Sequence, residues 1–300
     1  MMSKQDLTRP FRVKPHAKVR LHGYDPAWAG TKEMRRLGND RLKQDAHEFI
    51  QQNLERLSQA QELLWASDRY ALLVVLQAMD AAGKDGLIKH VMSGVNPQGC
   101  QVFGFKRPSD EELEHNFLWR YSKSLPPRGR IGIFNRSYYE DVLVVRVHPE
   151  WLERQKLPDS ERGPALWQGR FEDINQFEKH LARNGTVILK FFLHVSKKEQ
   201  KRRLLERLDN PEKHWKFSEA DLAERAHWPE YVEAYEHVLS ATSTKDAPWY
   251  IIPADHKWVA RWLVSEILTN TIQELDLKFP QPTADRQAAL VKARRFLQRE

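Results

Sequence analysis

The stretch with the clearest potential for chemistry is "QAMDAAGKDG", residues 77–86. It resembles a phosphate-binding loop, whose usual pattern is a glycine, four residues, Gly-Lys and then a serine or threonine. Two positions depart from that pattern, because Ala78 replaces the first glycine and Asp85 replaces the hydroxyl residue. The stretch could therefore hold a nucleoside triphosphate or another phosphate, and a turn with a surface lysine is the alternative.

Phosphate binding would follow from the backbone of this loop. A chain that turns from a strand into a helix presents several N–H donors at the positive end of the helix dipole. Gly83 and Gly86 would let a phosphate approach closely, and Lys84 would place a point charge on the transferred phosphoryl group. The predicted phosphate-binding residues of the loop are Ala81, Ala82, Gly83, Lys84, Asp85 and Gly86.

Two carboxylates in the loop predict a metal ion. In nucleotide-hydrolysing proteins the hydroxyl at the eighth position binds Mg²⁺, whereas this loop contains Asp80 and Asp85. Carboxylates repel phosphates unless a cation lies between them. We therefore expect Asp80 to bind magnesium. Asp85 is a second candidate, and a helix-start residue that complements the dipole is its alternative role.

A second constellation lies in "RIGIFNRSYYEDVLVVRVH", residues 130–148. Its apolar run ends at Asn135, and parallel α/β proteins place their ligand-binding groups at the carboxyl edge of the sheet. Asn135 and Arg136 should therefore face the Gly-Lys loop. Asn135 is a neutral oxygen donor for the metal, acting through water, and the guanidinium of Arg136 is a planar clamp for a phosphate.

The residues after this pair have open roles. Glu140 and Asp141 follow on a predicted helical turn, where they could contact the metal or the acceptor substrate. A structural salt bridge is the alternative for both. Tyr138 and Tyr139 are predicted to be core residues rather than residues that stack on a base.

The third stretch is the basic "SKKEQKRRLLERLDNPEKHWKF", residues 196–217. Gln200, Arg203 and Arg207 share one face of a predicted helix by their spacing of three and four residues. In phosphoryl-transfer enzymes of this shape, a basic helix at this place belongs to a lid over the phosphates. A solvated charged face is the alternative. The apolar residues form a narrow stripe of Leu204, Leu205 and Leu208.

Five continuous apolar runs predict the strands that position these stretches. Continuous rather than alternating runs indicate strands buried on both faces, and the helical patterns between them indicate a parallel sheet covered by helices. The runs lie at residues 70–79, 100–105, 130–135, 186–195 and 249–254. A helix is also predicted directly after the Gly-Lys loop, which is the context that a phosphate-binding loop requires.

The remaining chain divides into three predicted parts. Residues 1–30 form an irregular arm with several prolines and glycines. Residues 31–275 form the catalytic domain, entered through a helical stretch from Thr31 to Leu64 and carrying a lid at about 197–228. Residues 276–300 form a basic tail, either an amphipathic helix that makes oligomer contacts or a frayed end.

Composition limits the classes of partner. The 48 Lys and Arg exceed the 41 Asp and Glu by seven charges, which favours a polyanionic partner. Cys100 stands alone, which excludes an intrachain disulfide and a cysteine-based zinc site. The sequence has neither an apolar run of spanning length nor an opening like a signal peptide, and we expect a cytoplasmic protein without membrane partners.

The motifs together resemble the second family of polyphosphate kinases, the polyphosphate:nucleotide phosphotransferases. The resemblance covers roughly residues 30–275 and rests on four stretches in the same order. They are "AMDAAGKDG", "VNPQGCQVFGFKRPS", "FLWRYSKSLPPRGRIGIFNRSYYEDVLVVRVH" and "SKKEQKRRLLERLDNPEKHWKFSEADLAER".

The resemblance implies a P-loop kinase-like fold of three αβα layers with a five-stranded parallel sheet and a helical lid. It implies Mg²⁺-dependent, reversible transfer between inorganic polyphosphate and nucleotides, with polyphosphate rather than a nucleotide held by the altered loop. It also implies a homodimer or homotetramer and no specific nucleic-acid partner. Carried onto this sequence, the metal ligands are Asp80 and Asn135, the phosphate contacts are Lys84 and Arg136, and the lid arginines are Arg203 and Arg207.

One departure bears on the acceptor. Many members of this family have Asp where this chain has Asn135, and the "NRSYYED" form with Glu140 resembles the class III subgroup. That subgroup phosphorylates both mono- and diphosphates, which implies AMP to ADP to ATP here, with GMP and GDP as further acceptors. An ATP-dependent kinase of a small metabolite and a non-catalytic polyanion-binding protein are the two alternatives.

Overall fold

The computed structural model describes residues 7–36, 39–163 and 165–300. Residues 1–6 of the predicted arm and residues 37–38 of the predicted helical entry lie outside the described residues. Among the described residues no helix is both long enough and apolar enough to cross a membrane.

The five apolar runs form one parallel sheet. The spatial order is β2-β3-β1-β4-β5, so β1 lies at the centre between β3 and β4. All eight residues of β1 are buried, as expected for a strand that helices cover on both faces. This arrangement confirms the predicted α/β class. The strands are β1 Ala71–Ala78, β2 Cys100–Gly104, β3 Ile131–Asn135, β4 Thr186–His194 and β5 Trp249–Pro253.

Helices cover both faces of the sheet. In the described ranges, the helices of eight residues or more are α1 Asn39–Ser67, α2 Lys84–Val91, α3 Glu140–Val147, α4 Leu166–Arg183, α5 Lys197–Asp209, α6 Glu219–Ala226, α7 Trp228–Thr242, α8 Lys257–Gln273 and α9 Ala284–Leu297. Helix α8 packs against α1 and α2 on one face, and α7 packs against α3 and α4 on the other. The structure therefore has three layers.

Shorter helices join these elements. The one-turn α-helices are Lys32–Arg35, Asp110–Leu113, Trp119–Ser122 and Glu150–Glu153. The 3₁₀ helices are Arg9–Phe11, Leu21–Gly23, Pro97–Gly99, Asp159–Arg162 and Pro211–Lys216.

The two ends of the chain differ in packing. The N-terminal segment lies on the edge strand β5, where Val13 donates its N–H to the carbonyl of Trp249 at 2.8 Å and Arg12 forms an antiparallel bridge with Tyr250. Val13 itself is buried in the core. In contrast, every residue from 279 to 300 is exposed, although α9 is a regular helix whose Thr283 caps its start.

Candidate active site

The Gly-Lys loop connects the central strand to a helix. Strand β1 ends at Ala78 and α2 begins at Lys84, so the first turn of α2 leaves N–H groups without intrahelical partners. Gly83 precedes the helix with φ 106°, a conformation that glycine adopts without steric cost. Ala81 also lies in the left-handed region, with φ 59°, where an alanine is strained. The backbone thus has the strand–loop–helix form at which the sequence predicts an anion to bind.

Lys84 lies at the start of α2 and bends back over the end of β1. Its ammonium donates to the carbonyl of Ala78 at 3.2 Å and lines the cavity in front of the loop. Burial lowers the pKa of Lys84, and the positive charge of Arg136 lowers it further. A phosphate bound in the cavity would oppose both effects and raise the pKa of Lys84, because its negative charge would stabilise the ammonium.

The turn after β3 faces this loop. Arg136 has φ 66° and is held there by its N–H, which donates to the carbonyl of Leu76 at 3.1 Å. Its guanidinium bridges two carboxylates, at 3.0 Å from Asp80 Oδ1 and 3.2 Å from Glu140 Oε2. The charge of Glu140 raises the pKa of Arg136 above its ordinary value. Arg136 therefore stays charged at every relevant pH.

Asn135 joins the same two segments. Its Nδ2 donates to Asp85 Oδ1 at 2.7 Å, so the predicted approach of the β3 end to the loop is confirmed. Among the described residues, no group of three or more His, Cys, Asp or Glu is placed to hold a metal ion. The oxygen donors of Asp80 and Asn135 still suit Mg²⁺, which commonly takes one or two protein ligands and completes its shell with phosphates and water.

Behind the β3 turn lies a buried polar cluster. The hydroxyls of Tyr138 and Tyr139 both donate to Glu178 Oε1, at 2.8 and 2.9 Å. The ammonium of Lys190 donates to Glu178 Oε2 at 2.6 Å and to the Tyr139 hydroxyl at 2.8 Å. All four side chains are fully buried, so the two tyrosines lie in the core as predicted. The cluster anchors the turn that carries Arg136.

Asp141 points to the other side of this turn. It is buried, and its Oδ1 accepts a hydrogen bond from Gln155 Nε2 at 2.8 Å. Burial raises the pKa of Asp141 to about 6, although the charge of Arg170 opposes the shift. Asp141 and Glu140 line a second cavity of about 230 Å³ that also contains Asp80 and Arg136.

Helix α5 turns a polar face toward the loop. Arg203 donates from Nη1 to the carbonyls of Ala81 and Ala82, at 3.2 and 2.6 Å, and its Nε donates to Glu199. Its Nη2 donates to the carbonyls of Ala254 and Asp255, at 2.5 and 3.2 Å. All five N–H groups of the guanidinium are therefore engaged by protein oxygens.

The predicted apolar stripe of α5 is buried only in part. Leu204 is buried, but Leu205 and Leu208 are exposed, because the face of α5 that packs on the protein contains Gln200 and Arg203 instead. Arg207 lies further along that face, where it pairs with Asp221 of α6 at 2.7 Å and lines the cavity.

A cavity of about 810 Å³ opens in front of the loop. Its lining includes Lys84, Arg136, Arg203 and Arg207, so four predicted cations meet there. Sequence analysis missed the six further cations Lys106, Arg107, Lys213, Lys216, Lys257 and Arg261. Lys106 and Lys257 come shortly after β2 and β5, and the strand-end argument applied to Asn135 could have found them.

The chain is similar to known proteins over most of its length. Residues 40–280 match the family described as polyphosphate kinase 2. A protein from Rhodopseudomonas palustris named ADP-polyphosphate phosphotransferase is 54% identical over 97% of this chain and 98% of its own length. A protein from Meiothermus ruber named AMP/ADP-polyphosphate phosphotransferase is 46% identical over 91% of this chain and 96% of its own length.

A solved structure agrees in fold. The crystal structure of polyphosphate kinase 2 from Arthrobacter aurescens TC1 superposes with a TM-score of 0.82 at 39% sequence identity. The superposition covers 97% of each chain, so the similarity extends over nearly the whole of both chains.

Proposed function

The chain belongs to the polyphosphate kinase 2 family, and from this premise we propose that it transfers phosphoryl groups reversibly between inorganic polyphosphate and AMP or ADP, with Mg²⁺. The single observation that carries the proposal is the Gly-Lys loop opening into a cavity of about 810 Å³ lined by ten Lys and Arg side chains.

The extent of this positive lining favours a long polyanion as donor. Cations reach the cavity from the ends of β2 and β3, from α5, from the 3₁₀ helix Pro211–Lys216 and from α8. Polyphosphate carries about one negative charge per unit, so its binding should weaken steeply with salt, as counterion release predicts for nucleic acids.

We assign the donor contacts as follows. The loop N–H groups and Lys84 bind the terminal phosphates, and Arg136 clamps the transferred group. Arg207 exchanges Asp221 for a phosphate when the donor enters. A phosphate contact of Arg203 would require it to release carbonyls that it now holds, so we assign it chiefly to shaping the loop.

The acceptor nucleotide is assigned to the second cavity, beside Glu140 and Asp141. The relative from Rhodopseudomonas palustris is named for ADP and the one from Meiothermus ruber for AMP and ADP. We propose both acceptors, as expected for class III, with GMP and GDP as further substrates.

Asp80 and Asn135 are the residues proposed to hold Mg²⁺. When bound, the ion would offset negative charge on the phosphate oxygens and orient them. The ion pair between Asp80 and Arg136 supports this assignment, because it joins one proposed ligand to the proposed clamp for the transferred group.

The reaction requires the two substrates to be positioned in line and does not require a general acid or base. An anionic oxygen of the nucleotide attacks the terminal phosphorus of polyphosphate in line, forming one P–O bond while the bridging P–O bond breaks. The leaving polyphosphate is one unit shorter and carries the displaced electron pair on its oxygen. Lys84 and Arg136 stabilise the charge on the transferred group.

Other expectations remain part of the proposal. We propose a homodimer or homotetramer in the cytoplasm, without specific nucleic-acid or membrane partners. We also propose the division into an arm at residues 1–30, a catalytic domain at residues 31–275 with its lid at about 197–228, and a C-terminal basic segment.

The test is anion-exchange chromatography of nucleotides after the protein is incubated with long-chain polyphosphate, Mg²⁺ and either AMP or ADP. We expect ATP in both tubes, and none without polyphosphate or with EDTA. Lys84→Ala is the inactive control, with an expected loss of about 10³-fold. Product from ADP alone would remove the AMP assignment. Product only when ATP is the donor for another acceptor would replace the proposal with a metabolite kinase.

A further inference from the structure

Three consecutive carbonyls of the Gly-Lys loop are bound by two side chains of α5. Gln200 Nε2 donates to the carbonyl of Asp80 at 3.0 Å, and Arg203 donates to those of Ala81 and Ala82. Gln200 is 3% exposed and Arg203 is 5% exposed. With these carbonyls drawn toward α5, the strained left-handed conformation of Ala81 is held in place.

The other end of the Gln200 amide is bound by helix α6. Arg225, near the end of α6, donates from Nη1 to Gln200 Oε1 at 2.6 Å and to the carbonyl of Lys197 at 2.9 Å. A carbonyl can only accept and a guanidinium can only donate, so the orientation of the amide between them is determined. Gln200 therefore connects Arg225 of α6 to the Gly-Lys loop through a single amide group.

The neighbouring residue of α6 binds the opposite side of the site. Glu224 Oε2 accepts from the Tyr231 hydroxyl at 2.6 Å and lies 2.9 Å from Nε2 of His148, which follows α3. Two adjacent residues of α6 therefore bind different parts of the site. Glu224 binds near the proposed nucleotide cavity, and Arg225 binds, through Gln200, to the Gly-Lys loop.

We propose that Gln200 and Arg225 are positioning residues that couple helix α6 to the Gly-Lys loop. This inference rests on the proposed function for its kinetic consequence. While Arg225 donates to Gln200 Oε1, the Gln200 amide keeps its hydrogen bond to the Asp80 carbonyl, and the loop N–H groups stay directed into the cavity. When α6 moves away from α5, Gln200 loses the hydrogen bond that Arg225 donates to its Oε1, and the loop loosens.

The coupling is tested first without any substrate, by hydrogen exchange of full-length protein in peptides covering residues 79–91. Arg225→Met changes only the lid, yet it should speed exchange in the loop by about fivefold, as expected when one supporting hydrogen bond is lost. Lys201→Met is the matched control, because Lys201 is an exposed cation of α5 that does not line the cavity. Loop exchange in Arg225→Met equal to that in Lys201→Met would overturn the proposal.

Kinetics provide the second test. Gln200→Met and Arg225→Met should each lower kcat with polyphosphate and ADP by about tenfold, since loosened positioning acts on the reacting geometry. Because Arg225 acts through Gln200, the double variant should lose no more than the worse single variant, and Arg225→Lys should recover part of the rate. Multiplicative losses in the double variant would show that the residues act separately and would contradict the coupling.

The two failures are distinguishable. A wild-type protein without polyphosphate-dependent turnover would remove the proposed function, while loop exchange would still decide whether the lid and loop are coupled. The exposed position of α6 also makes Arg225→Met the safer variant for folding, and thermal unfolding of each variant identifies any loss that comes from stability alone.

Discussion

Two regions that border the cavity hold their arginines in opposite ways. At the junction of α5 with the Gly-Lys loop, Arg203 is 5% exposed and donates to four backbone carbonyls. At the β3 turn, the side chain of Arg136 is 42% exposed and pairs with the carboxylates of Asp80 and Glu140. We refer to these regions as the lid–loop junction and the β3 turn.

The two regions differ in whether a bound phosphate could replace the partners of the arginine. Backbone carbonyls cannot leave the guanidinium of Arg203 without moving the loop, so the lid–loop junction defines the form of the site. Carboxylate partners of Arg136 can be replaced by phosphate oxygens, which bind a guanidinium in the same bidentate geometry. We therefore expect residues at the β3 turn to contact the phosphates of the substrates and those at the junction to fix the shape of the loop.

The largest effect should come from the β3 turn. Arg136→Ala is expected to lower kcat with polyphosphate by about 10³-fold, because it removes the positive charge that stabilises the transferred group. Its free energy of unfolding should change by no more than about 1 kcal/mol, since partly exposed ion pairs stabilise little. Steady-state kinetics and urea unfolding measure the two quantities. A large loss of stability with modest loss of rate would reverse the comparison.

Arg203→Ala should behave in the opposite way. It leaves four carbonyls without a donor at a buried position and removes one of the two arginines that bind Glu199, and we expect the free energy of unfolding to fall by about 3 kcal/mol. Arg202→Ala is the control, because Arg202 also pairs with Glu199 but its side chain is 58% exposed. The control should cost less than about 1 kcal/mol. Wild-type stability in Arg203→Ala would mean that the junction is not held by this residue.

The two regions should also differ in their response to pH. Burial raises the pKa of Asp141 from 3.8 to about 6, so the folded protein retains a proton that the unfolded chain releases. Stability from this group is lost as pH rises from about 4 to 6, by up to about 3 kcal/mol. Hydrogen bonds from Arg202 and then Arg203 lower the pKa of Glu199 from 4.5 to about 2. Its contribution is complete above pH 4.5 and is lost as pH falls toward 2.

Urea unfolding of wild type, Asp141→Asn and Glu199→Gln between pH 3 and 8 tests these opposite signs. The stability difference between wild type and Asp141→Asn should shrink or reverse as pH rises through the window from 4 to 6. That between wild type and Glu199→Gln should shrink only below pH 4.5. Parallel curves for both variants would show that neither group titrates as described.

Sequence analysis predicted the strands and the approach of Asn135 to the loop because both depend on local pattern. A continuous apolar run specifies a buried strand, and parallel strands bring their carboxyl ends to one edge. It did not predict the burial of Gln200 and Arg203 on α5, since that burial depends on tertiary hydrogen bonds to three loop carbonyls and, for Arg203, to two carbonyls after β5. Nor did it predict the left-handed residues Ala81 and Arg136, whose conformations are imposed by tertiary contacts.

Those two residues provide the smallest predicted effect and the last comparison of the two regions. Ala81→Gly should stabilise the protein by up to about 1 kcal/mol, because glycine adopts φ 59° without strain. Ala82→Gly is the control. Ala82 is not left-handed and its methyl group is buried, so glycine there adds freedom to the unfolded chain and also removes core packing, and it should cost about 1 to 2 kcal/mol.

The same argument applies at the β3 turn, where Arg136→Gly should be more stable than Arg136→Ala although both remove the guanidinium. Urea unfolding of the four variants measures both differences. If Ala81→Gly lost as much stability as Ala82→Gly while Arg136→Gly gained over Arg136→Ala, strain would be confined to the β3 turn. The lid–loop junction would then hold a relaxed loop, and the bonds from Gln200 and Arg203 would select its position rather than enforce its conformation.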